Sequence, residues 1–315
     1  MTAQTFSAPA EEHQSSMVFR PAPDRSRWEG LAVASWVLII DLALAFWLLR
    51  RPVDGVSFLL LFAVLLSLPF LFHLLYRIWG AFSLEYWVDR NAVRIRWAAE
   101  SVVVPLPAIR QILRDGAPPV PRSARYWPAA FVRPLPRPMP SNSRERWALY
   151  ASRPPGESLW LETDDALFAI SPAQPEAFLA ALQEHHQLGP SHSLALGSER
   201  TGLHAIGLLD DRLGRRLLLA GLLGALALFG VLFFAYPGLP DLLIFHYDAA
   251  GLPDSIRPKG ALFLLPAIGL AAFLANSLAG LWLVYRRQLT GAYLLWGSTL
   301  AVQLLSLLAL FSLIR

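Results

Sequence analysis

The chain has 315 residues, 55% of them hydrophobic and 16% charged, against the roughly 25% charged of a soluble globular chain. A mean hydropathy of +0.44 averages long apolar runs with a Pro- and Arg-rich middle, which excludes a one-piece soluble enzyme. With no cysteine, disulfides, thiolate metal sites, iron–sulfur clusters and cysteine nucleophiles are excluded together. The net charge of +4 is unevenly placed: twelve arginines from Arg90 to Arg153 face only Glu100, Asp115 and Glu145, so the rest of the chain is net acidic.

Residues 1–28 are polar, with Glu11, Glu12, Ser15 and Ser16, and lack the basic start and short apolar run of a signal peptide; a disordered cytoplasmic tail is expected. Apolar runs follow from Leu31 to Leu49 and from Val56 to about Trp79. Each matches the roughly 20 residues a bilayer requires, so residues 29–80 read as a transmembrane hairpin turning at Arg50 to Gly55. Asp41 lies within the first run. Its antiparallel level in the second is Ser67, so the bland reading is a protonated Asp41 hydrogen-bonded across to that hydroxyl, and the alternative is a proton relay.

From residue 82 the period becomes two. Val93, Ile95 and Trp97 should face inward and Arg94 and Arg96 outward, after a turn at Asp89-Arg90-Asn91. Further strands are expected at Val102–Leu106, Arg110–Leu113, Trp147–Ala151, Ser158–Thr163 and Ala166–Ile170. Ser171 as N-cap, Pro172 at the first position and Gln174 as capping-box partner then predict a helix ending near Leu188, with His185 and His186 capping its carboxyl end. The outcome is a meander of about seven short strands closed by one helix. The insertion 115–146, with Pro134, Pro136, Pro138 and Pro140 among Arg133, Arg137 and Arg144, is expected to run as an extended, mobile loop.

Residues 189–211 read as a linker. Residues 212–315 hold three more spans, Leu217–Tyr236, Ala261–Tyr285 and Gly291–Ile314, around a loop at 237–260. In the fourth span Ala272, Asn276 and Gly280 recur every four residues, a stripe for close helix packing. Arg77, Arg212, Arg215, Arg216, Arg286 and Arg287, with Arg20, Arg25 and Arg27, fall on one side of the membrane. The positive-inside rule puts that side, with the middle domain, in the cytoplasm; Arg50 and Arg51 dissent.

Two resemblances emerge from these residues. The run Tyr86-Trp87-Val88-Asp89-Arg90-Asn91-Ala92-Val93-Arg94-Ile95, then Val104-Pro105-Leu106-Pro107-Ala108-Ile109, and Phe168-Ala169-Ile170-Ser171-Pro172 leading to Pro175-Glu176-Ala177-Phe178, resembles the bacterial pleckstrin-homology-like (bPH, DUF304-like) domain of membrane proteins over residues 82–188. It implies a PH-like β-sandwich or barrel with one C-terminal helix, and binding more than catalysis. The run Leu239 to Asp248, then Gly251-Leu252-Pro253-Asp254 and Lys259, is similar to the signature loop of the DUF1648 family of uncharacterised and immunity-type membrane proteins. Many members of that family carry asparagine where this chain has Asp248.

Two groups of residues could carry chemistry. His246, Asp248 and Asp254 offer one nitrogen and two carboxylates, a donor set that suits zinc or manganese. Pro240, Gly251 and Pro253 instead suggest a structural cap in which the His and Asp satisfy backbone groups, and no metal or other cofactor is expected. Arg94, Arg96, Arg133, Arg137, Arg144 and Arg146 could meet anionic lipid headgroups or a protein partner; Trp97 and Trp127 are too few and wrongly placed for nucleic acid. No phosphate loop, nucleophile elbow, zinc-protease helix or dinucleotide fingerprint is present in the sequence. The expectation is a five-span α-helical multi-pass membrane protein of the bacterial inner membrane with an inserted soluble PH-like domain. It would serve as a non-enzymatic scaffold for a protein partner or a larger membrane complex; the alternative is an envelope-defence or immunity protein acting through residues 237–260.

Overall fold

A computed structural model describes residues 16–114, 131–133, 146–188, 194, 196–200, 211–250 and 252–314. Among these residues five helices are long and apolar enough to cross a membrane. They are α1 (Ser26–Leu48), α2 (Gly55–Phe82), α4 (Arg212–Ala235), α5 (Leu264–Tyr285) and α6 (Leu289–Ile314); α3 (Pro175–Leu188) is shorter and amphipathic. Leu66, Phe72, Leu278 and Leu294 stand outward and exposed on the crossing helices, the reverse of a soluble helix and the arrangement that lipid favours. The chain is a multi-pass membrane protein with a β domain. It divides into two compact units, one from the described residues of 1–37 and 70–201, the other from those of 38–69 and 202–315.

The first unit contains two five-stranded sheets. One has the order β1 (Met17–Phe19), β2 (Glu85–Val88), β3 (Ala92–Trp97), β4 (Glu100–Pro105) and β10 (Gly197–Arg200), all antiparallel. Asp89 makes the β2–β3 turn by accepting from the backbone N–H groups of Asn91 and Ala92 at 2.7 and 2.8 Å, as short acidic turn residues do. Val93, Ile95 and Trp97 are buried, whereas Arg96 is exposed and Arg94 lies between, so the alternation holds.

The other sheet has the order β5 (Ile109–Leu113), β8 (Leu159–Thr163), β9 (Leu167–Ile170), β7 (Trp147–Ala151) and β6 (Phe131–Arg133). It is not a meander, because β9 comes between β8 and β7 and pairs with β7 in parallel. Every residue of β7 is buried, as suits an inner strand covered on both faces.

Three further differences from the sequence expectation lie in this unit. The tail expected to be disordered through residue 28 contributes β1, and Ala22 donates to the Ser171 carbonyl at 2.7 Å while Ala173 donates to Arg20. That pairing, with a bridge between Pro21 and Pro172, keeps residues 171–173 extended. The helix therefore starts at Pro175 with Gln174 as its cap, the first helical bond running from Phe178 to Gln174. Ser171 is not the N-cap: its Oγ accepts from the Ser152 backbone N–H at 2.7 Å. Of the insertion and the linker, the described residues Phe131–Arg133 and Gly197–Arg200 form edge strands, because each finds an open neighbouring edge in β7 or β4.

Helix α2 runs into β2 with only Ser83 and Leu84 between them. One apolar core includes Leu74, Ile78 and Ala81 of α2 with Tyr86, Ile95, Trp97 and Phe168 of the sheets. Trp97 fits because residue 80 is glycine; a Cβ there would stand 2.3 Å from the indole. Tyr76 meets the same indole edge to face at 5.3 Å, and Ser83 Oγ accepts from the Ala98 backbone N–H at 2.9 Å.

In the second unit, α4, α5 and α6 pack pairwise. Trp296 of α6 is buried against two glycines, Gly214 and Gly280, at each of which a Cβ would collide with its ring. The buried Gln303 donates from Nε2 to the Gly221 carbonyl at 2.7 Å, and Asn276 donates to Thr299 Oγ1 at 3.0 Å. Small residues and amides replace hydrophobic burial as the interhelical cement, as lipid-immersed helices require. Asp41 of α1 meets Ser67 of α2, whose Oγ stands 2.7 Å from both carboxyl oxygens.

Candidate functional site in the hairpin and on the arginine face

Between α4 and α5 the chain forms a β-hairpin, β11 (Leu242–Tyr247) with β12 (Pro253–Pro258). Alternation explains its two faces. Leu243 is buried and Phe245 half-buried in a cluster with Leu228 and Leu232 of α4, Leu262 of the turn before α5 and Leu310 of α6, while Leu242 and Ile244 point the other way. Pro253 opens β12, the strand position at which a missing N–H is tolerated, and Pro240 precedes β11. Gly251 lies outside the described residues.

The three residues that could have formed a metal site are divided. His246 Nδ1 and Asp254 Oδ1 are 2.8 Å apart across the strands. Asp248 instead accepts from the backbone N–H groups of Ala250 and Leu252 at 2.9 and 2.8 Å, and its own N–H donates to the Leu252 carbonyl. Among the described residues no three His, Cys, Asp or Glu groups stand together as metal ligands. Asp248 is thus the turn-former of the hairpin, and His246 pairs with a carboxylate instead of with backbone.

Lys259 closes the hairpin base in a way the spacing did not announce. Its Nζ bonds Asp241 Oδ1 at 3.0 Å and the Leu239 carbonyl at 3.4 Å, and stands 5.1 Å from the centre of the Tyr236 ring. The guanidinium of Arg257 stands 5.8 Å from the Phe245 ring. A lysine and an arginine at the end of a span were visible signals, but their aromatic partners lie twenty-three and twelve residues away.

The arginine face is more engaged than its count suggests. Arg94 pairs with Asp89 at 3.0 Å, Arg110 with Asp164, Arg114 with Glu176, and Arg153 with Glu157. Arg133 covers the Trp147 ring at 3.7 Å and donates to the Trp147 carbonyl. Arg96 is exposed, Arg146 half-buried, and Arg137 and Arg144 lie outside the described residues. His185 is buried on α3 with neither ring nitrogen hydrogen-bonded among the described residues, so it does not cap the helix. Between β5 and α3 runs an open groove of about 490 Å³, with Leu106, Ile112 and Leu182 in its walls and Arg110 and His186 on its rim.

Burial pushes the Tyr86 hydroxyl up to about 12, against a smaller opposing effect of its bonds with Ser171. At the α1–α2 turn, Asp54 is held below the usual carboxylate range, first by the Ser57 backbone N–H that it caps and also by Arg51.

Residues 223–270, which include the whole hairpin, match the sequence model of a family described as "Domain of unknown function (DUF1648)". The pleckstrin-homology-like resemblance of residues 82–188 has no matching family model. No curated protein and no solved structure matches the chain.

Proposed function

We propose that the protein is a membrane-anchored scaffold of the bacterial inner membrane whose PH-like domain is a rigid platform at the cytoplasmic surface. The observation that carries this reading is the core shared by α2 and the β domain, with Trp97 seated on Gly80. A domain whose core takes in the end of the helix that leads into it is built into its anchor and not strung on a flexible tether, which suits display to a partner. Two sheets with one helix after β9 are in keeping with the PH-like resemblance of residues 82–188.

A protein partner is favoured over the lipid headgroup layer as the domain's target, because acidic neighbours already offset Arg94, Arg110, Arg114 and Arg153. The orientation rests on the positive-inside count, and its dissenting pair is softened: Arg51 is tied to Asp54 and stacked on Trp47, and Arg50 lies over Phe46. Photocrosslinkers placed at the exposed Arg96 and Gln111 in native membranes test the reading. A discrete protein adduct that weakens in Gly80→Leu, with membrane insertion intact, is expected. Lipid adducts alone would defeat it.

The second reading is an envelope-defence or immunity protein acting through residues 237–260; what supports it is the resemblance of that loop to the immunity-type members of the matched family, and the family model that spans the hairpin carries no described function. By the parity of the spans the hairpin would then stand on the extracytoplasmic side.

A further inference from the structure

The hairpin presents an apolar face to the outside of its unit. Leu242 is 62% exposed, Ile256 58%, and Ile244, directly across from Ile256, 37%. Leu243 and Phe245 already supply the contacts that hold β11 to the helices, so packing of the hairpin onto its own unit does not explain these outward side chains.

Two observations identify what covers them. The first is continuity with lipid-facing surface. Phe234 on the last turn of α4 is 61% exposed and Leu264 on the first turn of α5 is 59% exposed. A single 3-10 turn (Tyr236–Gly238) and three residues separate α4 from β11, and another such turn (Lys259–Phe263) separates β12 from α5. The hairpin therefore begins and ends where the apolar surfaces of two membrane spans end. The second is the chemistry of its base and tip. Tyr236 with Lys259, in the two turns that flank the hairpin, and Phe245 with Arg257, on its two strands, form cation–aromatic pairs; tyrosine and basic residues at the ends of spans are the types that anchor them at the headgroup level. Asp248 and Asp254 lie toward the tip, away from the junction with the helices.

We infer that the β11–β12 hairpin is an interfacial element: its Leu242, Ile244 and Ile256 face lies in the acyl–headgroup boundary of the leaflet where α4 ends, while the Asp248 turn stays in water. Amphipathic segments lie in the bilayer plane for this reason, apolar face down and polar groups out. The occupant is lipid of the same bilayer, independent of which side of the membrane the hairpin occupies.

The full-length, naturally cysteine-free chain in phosphatidylcholine–phosphatidylglycerol vesicles tests this with an environment-sensitive fluorophore on single cysteines at Leu242, Ile244, Ile256 and Ala250. Lipid spin-labelled near the headgroup should quench positions 242, 244 and 256 at least twofold, and aqueous iodide should quench position 250. A probe at Phe234 reports on the span itself, so loss of lipid quenching there separates failure of the membrane reading from failure of the hairpin reading. Iodide quenching at 244 and 256 equal to that at 250 would overturn the proposal. Protection from both quenchers would also overturn it, in favour of a protein on that face. Because the outward positions are exposed, each variant is an independent trial if another misfolds.

Discussion

The Tyr86 hydroxyl donates to the backbone carbonyl of Tyr150 at 2.7 Å and accepts from the Ser171 backbone N–H at 3.1 Å. One side chain of β2 thus reaches β7 of the other sheet and the segment that leads into α3. Ser152 completes the joint, bonding Ser171 and the Ala22 carbonyl, so the amino-terminal segment is fastened at the same point.

Tyr86→Phe should lower the stability of the β domain by about 1 to 3 kcal/mol, because it leaves the Tyr150 carbonyl and the Ser171 N–H buried with one partner fewer. The pH dependence has a definite sign. The folded-state value, up to about 12, lies above the ordinary value near 10, so the contribution is complete below pH 10 and is lost as pH rises toward 12. Denaturation in detergent should therefore show a stability loss in that alkaline window that is shallower in Tyr86→Phe. Identical alkaline profiles would contradict the assignment.

Much of the architecture was legible because its signals are local. Twenty-residue apolar runs announce the spans, alternation announces β3, and antiparallel register alone placed Ser67 opposite Asp41. What escaped was set by partners distant in sequence. Nothing within Met17–Phe19 marks a strand until β2 offers its edge, and the capping pattern at Ser171 is overridden by the pairing of residues 20–22 with 171–173. The parallel β7–β9 pair is invisible to patterning, because β7 is buried throughout and β9 at every residue but Leu167. In the hairpin the metal-like trio was legible only as composition. Which carboxylate faced His246 depended on the bulges in the β11–β12 register.

In the hairpin, Asp248→Ala should be more damaging than His246→Ala. Asp248 satisfies two turn amides, and losing such a side chain typically costs about 1 kcal/mol. The His246–Asp254 pair is well exposed, and exposed pairs contribute roughly 0–1 kcal/mol. Thermal unfolding of both variants, with and without a chelator, checks this. The wild-type transition should be unmoved by chelator; a zinc- or manganese-dependent shift abolished by His246→Ala would restore the metal reading.

Orientation can be read with single cysteines at two exposed positions, Asp165 in the β domain and Ala250 in the hairpin turn. A membrane-impermeant maleimide should label position 250 in intact cells and position 165 only after lysis. The reverse pattern would place the domain outside, and the scaffold reading would then need an extracytoplasmic partner.

The three-helix region yields the sharpest test of packing. Gly224 of α4 has no side chain where the Gln303 amide of α6 lies; a Cβ there would stand 2.1 Å from Gln303 Oε1. Gln303 Nε2 is meanwhile fixed by the Gly221 carbonyl. Gly224→Ala must therefore push the amide out of its notch, and overpacking of this kind costs about 1 to 3 kcal/mol. Gln303→Ala removes the interhelical bond, worth on average roughly 0.6 kcal/mol within a membrane, and opens a cavity, but it also vacates the space the new methyl needs. The double variant should then be at least about 1 kcal/mol more stable than the sum of the single losses predicts, the signature of two residues sharing one volume. Reversible unfolding in mixed micelles measures all three. Strict additivity would mean that the glutamine does not occupy the glycine notch, and the packing of α6 against α4 would have to be redrawn.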